Sequence, residues 1–145
     1  MGTDKTTAQG YHRVMPVCIT SSALIAMIAV ARRQHPNEAC GLLLGHDAVI
    51  AIAQATANIA AAPERRFEID PAALIAAHRA ARSGGPVVMG YFHSHPTGPA
   101  APSATDRAMA AGDGRIWAII AADTVALWRD TPSGFEPLSY DVVAG

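Results

Sequence analysis

Apolar and polar positions along this chain switch between strand-like and helical spacing, and the switches mark its elements. Residues 14–19 (VMPVCI) are a short apolar run with β-branched members and predict a strand. Ser21 or Ser22 can then cap a helix in which Leu24, Ile25, Ile28 and Ala31 recur at helical spacing. Pro36 ends this helical region. Residues 39–45 (ACGLLLG) form a continuous apolar run of strand length, as expected for a strand buried on both faces.

His46-Asp47 is short enough to turn a hairpin into a further strand over residues 49–58. Residues 60–64 read as a loop and residues 66–69 as a short strand. Asp70-Pro71 fits a cap plus first helical residue, for a helix that runs to about Arg82 and stops at Ser83-Gly84-Gly85-Pro86. A strand over residues 87–95, a helix from Ser103 to about Ala111, and strands over 116–121, 125–129 and 135–143 complete the chain. Helices interleave with strands early and strands run consecutively late. That order predicts an α/β fold, α+β in stricter usage: a mixed β-sheet flanked by helices. Residues 1–12, small and polar without periodicity, read as a flexible leader, and residues 13–145 as a single domain.

Composition narrows the function classes. The chain has 145 residues and is 50% apolar, enough for one filled core. Lys+Arg 11 against Asp+Glu 12 leaves no broad field to attract nucleic acid, an anionic membrane or an acidic substrate, so function is expected from a local site. Cys18 and Cys40 show neither CxxC spacing nor the density of a disulfide scaffold, which fits a reducing cytoplasm, and Cys40 reads as a small buried side chain. Residues 14–31 follow Lys5 and Arg13 and imitate a signal peptide or membrane span. Pro16 and Thr20-Ser21-Ser22 interrupt them, and Arg32-Arg33 stand where a small-residue cleavage site would be, so neither is expected.

Chemistry concentrates between residues 91 and 106. Residues two apart on a strand project to one side, so His93 and His95 in YFHSH can present both imidazoles to one point. The segment PTGPAAP resists helix and ladder alike and makes a stiff loop. Ser103, with Asp106 three residues on, then resembles a helix start carrying a carboxylate in its first turn. Two imidazoles and a carboxylate leave a fourth tetrahedral position open, as in catalytic rather than structural zinc sites, and an open site suggests hydrolysis. The same residues have plainer readings. Two histidines at this spacing also describe an exposed strand face, and Ser103 with Asp106 also describes a capping box.

Glu38, then His93-Ser94-His95, seven residues, Ser103, two residues and Asp106 resemble the motif of the JAMM (MPN-plus) metalloproteases, with every position filled. The resemblance extends to the EACGLLLG segment and looks like a compact bacterial stand-alone member. It implies a cytidine-deaminase-like mixed sheet and one Zn2+ held by His93, His95 and Asp106. It also implies Glu38 as the base that activates water and shuttles the proton, and Ser103 as the oxyanion donor.

The activity implied is a zinc-dependent peptidase or isopeptidase. Its substrate would be a protein or peptide, such as the C-terminus of a ubiquitin-like or sulfur-carrier protein, with neither nucleic acid nor membrane as partner. The alternative is a non-catalytic MPN scaffold or interaction module, since many such domains lack the metal motif. A deaminase would need His-x-Glu with Pro-Cys-x-x-Cys, which does not occur here. The ligand set alone also suits iron, but the Glu38 and Ser103 positions favour hydrolysis. His12, His35, His46 and His78 fall outside the motif and read as surface residues, and Trp117 and Trp128 as core or sheet-face aromatics. Asn58 and Phe67 flank the loop before the second helix, where they either shape a groove or end a strand.

Overall fold

A computed structural model describes residues 16–145. The expected leader over residues 1–12, His12 and the first residues of the expected first strand lie outside the described residues. The elements run β1 (Val17–Thr20), α1 (Ser21–Gln34), β2 (Cys40–His46), β3 (Val49–Thr56), α2 (Pro71–Arg82), β4 (Val87–Ser94), α3 (Ala104–Met109), β5 (Ile116–Ala121), β6 (Thr124–Thr131), β7 (Gly134–Leu138) and β8 (Tyr140–Val143). The strands form one 8-stranded sheet in the order β7-β6-β5-β4-β2-β3-β1-β8. The sheet is mixed: β4 runs parallel to β5, and β1 runs parallel to β3 and β8. Its remaining neighbours are antiparallel.

The strand expected over residues 135–143 is two strands, and the reason is geometric. β7 pairs with β6 at one edge, β8 pairs with β1 at the other, and Ser139 alone separates them. One residue spans at most about 3.6 Å. The two edges must therefore meet at Ser139, which curls the sheet upon itself.

Inside the curl lies the main core. Ala23, Met27 and Val30 of α1 pack with Leu43, Ile50, Phe92, Ala118 and Ile120 from the sheet. Gly41 belongs to this packing because a Cβ there would overlap the Phe92 ring. On the outer face, Ala77 and Leu74 of α2 cover Leu42, Leu44 and Val88.

Other departures from the sequence reading are local. Ile25, expected on the buried stripe of α1, is 66% exposed, because the stripe is centred on Met27 instead. Thr20 rather than Ser21 or Ser22 caps that helix, its side chain accepting from the Ala23 N–H. Residues 66–69 contribute only an isolated bridge between Asn58 and Ile69, so no strand forms there. β3 ends at Thr56, and α3 is shorter than residues 103–111.

The β2–β3 turn is Asp47-Ala48 rather than His46-Asp47, with φ of 52° and 63°. Two-residue hairpins of this kind need positive φ at both central positions, which glycine adopts freely and alanine does not. Ala48→Gly is expected to stabilise the protein by about 0.5–1 kcal/mol, measured by urea unfolding. An equal or lower midpoint for the variant would show that the turn carries no such strain.

Candidate metal centre

β4 sits at the middle of the sheet between β2 and β5, and the site forms at its C-terminal end. His93 is the penultimate residue of β4 and wholly buried. His95 lies just past the strand but keeps its course, because its N–H donates to the Ile120 carbonyl at 2.8 Å. The two imidazoles therefore project from one face, with ring centroids 4.9 Å apart.

Asp106 arrives from α3. Ser103 caps this helix through a reciprocal box: its Oγ accepts from the Asp106 N–H at 3.0 Å, and its own N–H donates to Asp106 Oδ2 at 3.0 Å. Capping and convergence coexist. The Asp106 carboxylate is buried, and its Oδ2 lies 3.1 Å from both His93 Nε2 and His95 Nε2, which are themselves 3.1 Å apart.

Glu38 precedes β2 and is buried, its Oε1 without a protein partner. With His95, Ser103, Glu64, Arg65 and Thr97 it lines an open cleft of about 390 Å³. The structure thus brings His93, His95 and Asp106 to one point and puts Glu38 and Ser103 on the cleft beside it.

The donor set fits one zinc ion. Two ligands about 2.0–2.1 Å from a shared tetrahedral centre stand about 3.3 Å apart, close to the spacing seen here. His95 Nδ1–H donates to the Pro99 carbonyl at 2.9 Å, which leaves the Nε2 lone pair facing the cluster. A ring nitrogen fixed in this way by a carbonyl is the usual arrangement of a metal-ligating histidine. That lone pair and the Asp106 carboxylate, 3.1 Å apart, repel one another unless a cation stands between them. Among the described residues, these three form the cluster able to hold an ion, with one ligand atom from each all within 4.8 Å.

Burial and charge set the local acidities. Burial pushes the Glu38 carboxyl up to about 7; the nearby His95 opposes that shift and Asp106 adds to it. Burial would also raise Asp106, but hydrogen bonds with His93 and His95 and from the Ser103 N–H outweigh it and hold the carboxyl well below the usual range. Burial pushes His93 down. His95 is also opposed by burial, yet its bonds to Asp106 and Pro99 and the two carboxylates raise it. Cys40 meets its expectation: it is buried, and burial pushes its thiol up, which suits an inert side chain.

Five residues hold this arrangement that sequence reasoning assigned no site role or overlooked. Ser94, between the two histidines, points to the opposite side, where its Oγ accepts from the Ala39 N–H at 2.8 Å and so anchors the segment leaving Glu38. Phe67 stacks on the His93 ring, centroids 4.3 Å apart and 18° between planes, and Trp117 meets the same ring edge-on. Asp130, buried in β6, accepts from the Ala111 and Gly112 N–H groups and pins the chain just beyond α3. Asn58 bonds the Glu38 carbonyl. Only Ser94 carries a sequence signal, as the residue of the HSH triplet that must face away from the ligands. Of the other histidines described, His35 and His46 are exposed and His78 is half-buried.

A model of the prokaryotic homologs of the JAB domain matches residues 20–131. The chain belongs to this family. Among relatives of the JAB-domain chain is the desampylase of Haloferax volcanii, 38% identical over 90 residues, a match covering 61% of this chain and 65% of the relative. A second relative is a protein of Thermus thermophilus described as a probable TtuB-protein conjugate cleaving protease. It is 32% identical over 97 residues, 67% of this chain and 64% of the relative. The match thus spans just under two thirds of each relative's length. The solution structure of a protein from Desulfitobacterium hafniense superposes with a TM-score of 0.76 at 29% identity, covering 89% of this chain and 94% of that one. Among the described residues, no helix is long and apolar enough to cross a membrane.

The buried Glu38 carboxyl has a consequence for stability. Its folded pKa, raised from 4.5 to about 7, means that the folded state binds the proton more tightly. As pH rises through that window the metal-free protein loses stability relative to its unfolded chain. Glu38→Gln should therefore gain on the metal-free parent by on the order of 2–3 kcal/mol between pH 5 and pH 8, measured by urea unfolding. A parent-to-variant difference that stays flat across that range would mean that the carboxyl is solvated.

Proposed function

We propose that the protein is a zinc-dependent isopeptidase that hydrolyses the amide bond joining a ubiquitin-like or sulfur-carrier protein to its conjugate. One observation carries the reading: His93, His95 and Asp106 converge on a single point beside an open cleft that also presents Glu38 and Ser103. The family membership and the two relatives, one named as a desampylase and one as a conjugate-cleaving protease, support the substrate class.

His93, His95 and Asp106 would hold the ion. Bound there, zinc supplies a Lewis acid for the scissile carbonyl and lowers the pKa of a coordinated water from 15.7 to about 7. Glu38 accepts a proton at a carboxylate oxygen and delivers it to the departing amine, and its raised pKa suits a group that must do both near neutral pH. The Ser103 oxygen accepts from the Asp106 N–H, so its own hydrogen is free to be donated to the oxyanion that develops on the carbonyl. Backbone contacts from Pro99 and Ser103 keep His95 and Asp106 oriented while the substrate enters.

The test offers small carrier proteins with C-terminal extensions or isopeptide conjugates to the zinc-loaded protein. Cleavage should stop on chelation and return on adding zinc. Glu38→Gln should bind one zinc per chain and lose about 10²–10⁴-fold in kcat. Parental kcat in that variant at equal zinc loading would remove Glu38 as the base. Protein that takes up zinc but cleaves no member of the panel would favour a binding module over an enzyme.

A further inference from the structure

The sequence left Asn58 as a residue that either shapes a groove or ends a strand, yet its side chain uses every hydrogen-bonding position an amide has. Oδ1 accepts from the Ala60 N–H at 3.0 Å and the Glu68 N–H at 3.1 Å. Nδ2 donates to the Glu38 carbonyl at 3.0 Å and the Arg66 carbonyl at 3.0 Å, with a longer contact to the Pro63 carbonyl at 3.4 Å.

These partners fall into two groups that matter to the site. Glu38 lies ahead of β2, so no strand pairing holds its backbone. Its N–H donates to the Pro63 carbonyl at 2.7 Å and its carbonyl accepts from Asn58, so both of its backbone bonds end on the segment that Asn58 organises. The second group brackets Phe67: the Arg66 carbonyl on one side and the Glu68 N–H on the other are both tied to Asn58. Phe67 is the ring stacked on His93. One amide thus fixes the backbone of Glu38 and the aromatic wall behind a ligand.

We propose that Asn58 is a positioning residue that holds Glu38 at its working place and sets the His93 ring through Phe67. For the reaction, this rests on the functional reading above. No other side chain of that size supplies both halves: aspartate keeps the acceptor for Ala60 and Glu68 but turns oxygen toward three carbonyl groups, and alanine supplies neither.

The two substitutions therefore weight the two effects differently: Asn58→Asp loses the tie to the Glu38 carbonyl but keeps the Glu68 tie beside Phe67, whereas Asn58→Ala loses both. In the zinc-loaded protein, Asn58→Asp should lower kcat 10–100-fold on a conjugate that the parent cleaves, with KM within about threefold and zinc affinity within about threefold of the parent. Asn58→Ala should lower kcat similarly, weaken zinc about tenfold in chelator competition, and change the visible absorption of the cobalt-substituted protein. Folded Asn58→Asp with parental kcat would overturn the link to Glu38. Folded Asn58→Ala with parental zinc affinity and cobalt spectrum would overturn the link through Phe67 to His93. Should Asn58→Ala not fold, Phe67→Leu tests the second link with the same metal readouts. If the parent cleaves no conjugate, the functional reading falls, and Asn58 is judged on the zinc and cobalt measurements alone.

Discussion

Because Cys40 on β2 lies opposite His93 on β4, the chain entering β2 is carried directly past the end of the strand that bears both imidazoles. The ladder continues one step beyond β2, where the Ser94 N–H donates to the Ala39 carbonyl at 3.0 Å and Ser94 Oγ accepts from Ala39 in return. Glu38, one residue further out, has nowhere to go but the rim of the metal cluster. A slip of one residue in this pairing would exchange the two buried faces of β2, taking Leu43 away from α1 and Cys40 away from Phe67 and Trp117. Sheet register thus brings together residues that stand far apart along the chain.

The Asp106 carboxylate is secured differently. α3 has only 6 residues, too few to be a stable helix by itself, so its ends must be held from outside. Ser103 holds the first turn through the capping box, and the buried Asp130 receives the N–H groups of Ala111 and Gly112 just past the last turn. Trp128 adds a tie from β6 to the proline-rich loop, its Nε1 donating to the Ala100 carbonyl at 3.2 Å. Rigidity at Asp106 comes from such anchors and not from helical propensity.

What could be read from the sequence followed from local chemistry. The six buried residues of β2 show as an uninterrupted apolar run, α2 as Asp-Pro ahead of a helical stripe, and the candidate metal site as two histidines two apart followed by a capped acidic turn. The misses were of two kinds. Helix α1 is alanine-rich, so Ile25 and Met27 compete equally for the buried stripe, and only the curl of the sheet decides between them. Asn58, Phe67 and Asp130 act through tertiary contacts to backbone or ring atoms distant in sequence, which no periodicity encodes. The same applies to β7 and β8, whose apolar pattern runs on smoothly while their pairing partners change from one sheet edge to the other.

That last feature bears on how the protein reaches its fold. β6 and β1 present open strand edges until β7 and β8 are in place, and both are covered by a single stretch of about ten residues either side of Ser139. During synthesis neither edge can be closed before this stretch emerges, so a nascent chain that has yet to release it carries two exposed templates for pairing with its neighbours. Pairing of β7 and β8 then covers both in one event, and these two strands become the edges of the finished sheet. The same ten residues that shape the curl thus decide when β6 and β1 cease to be templates.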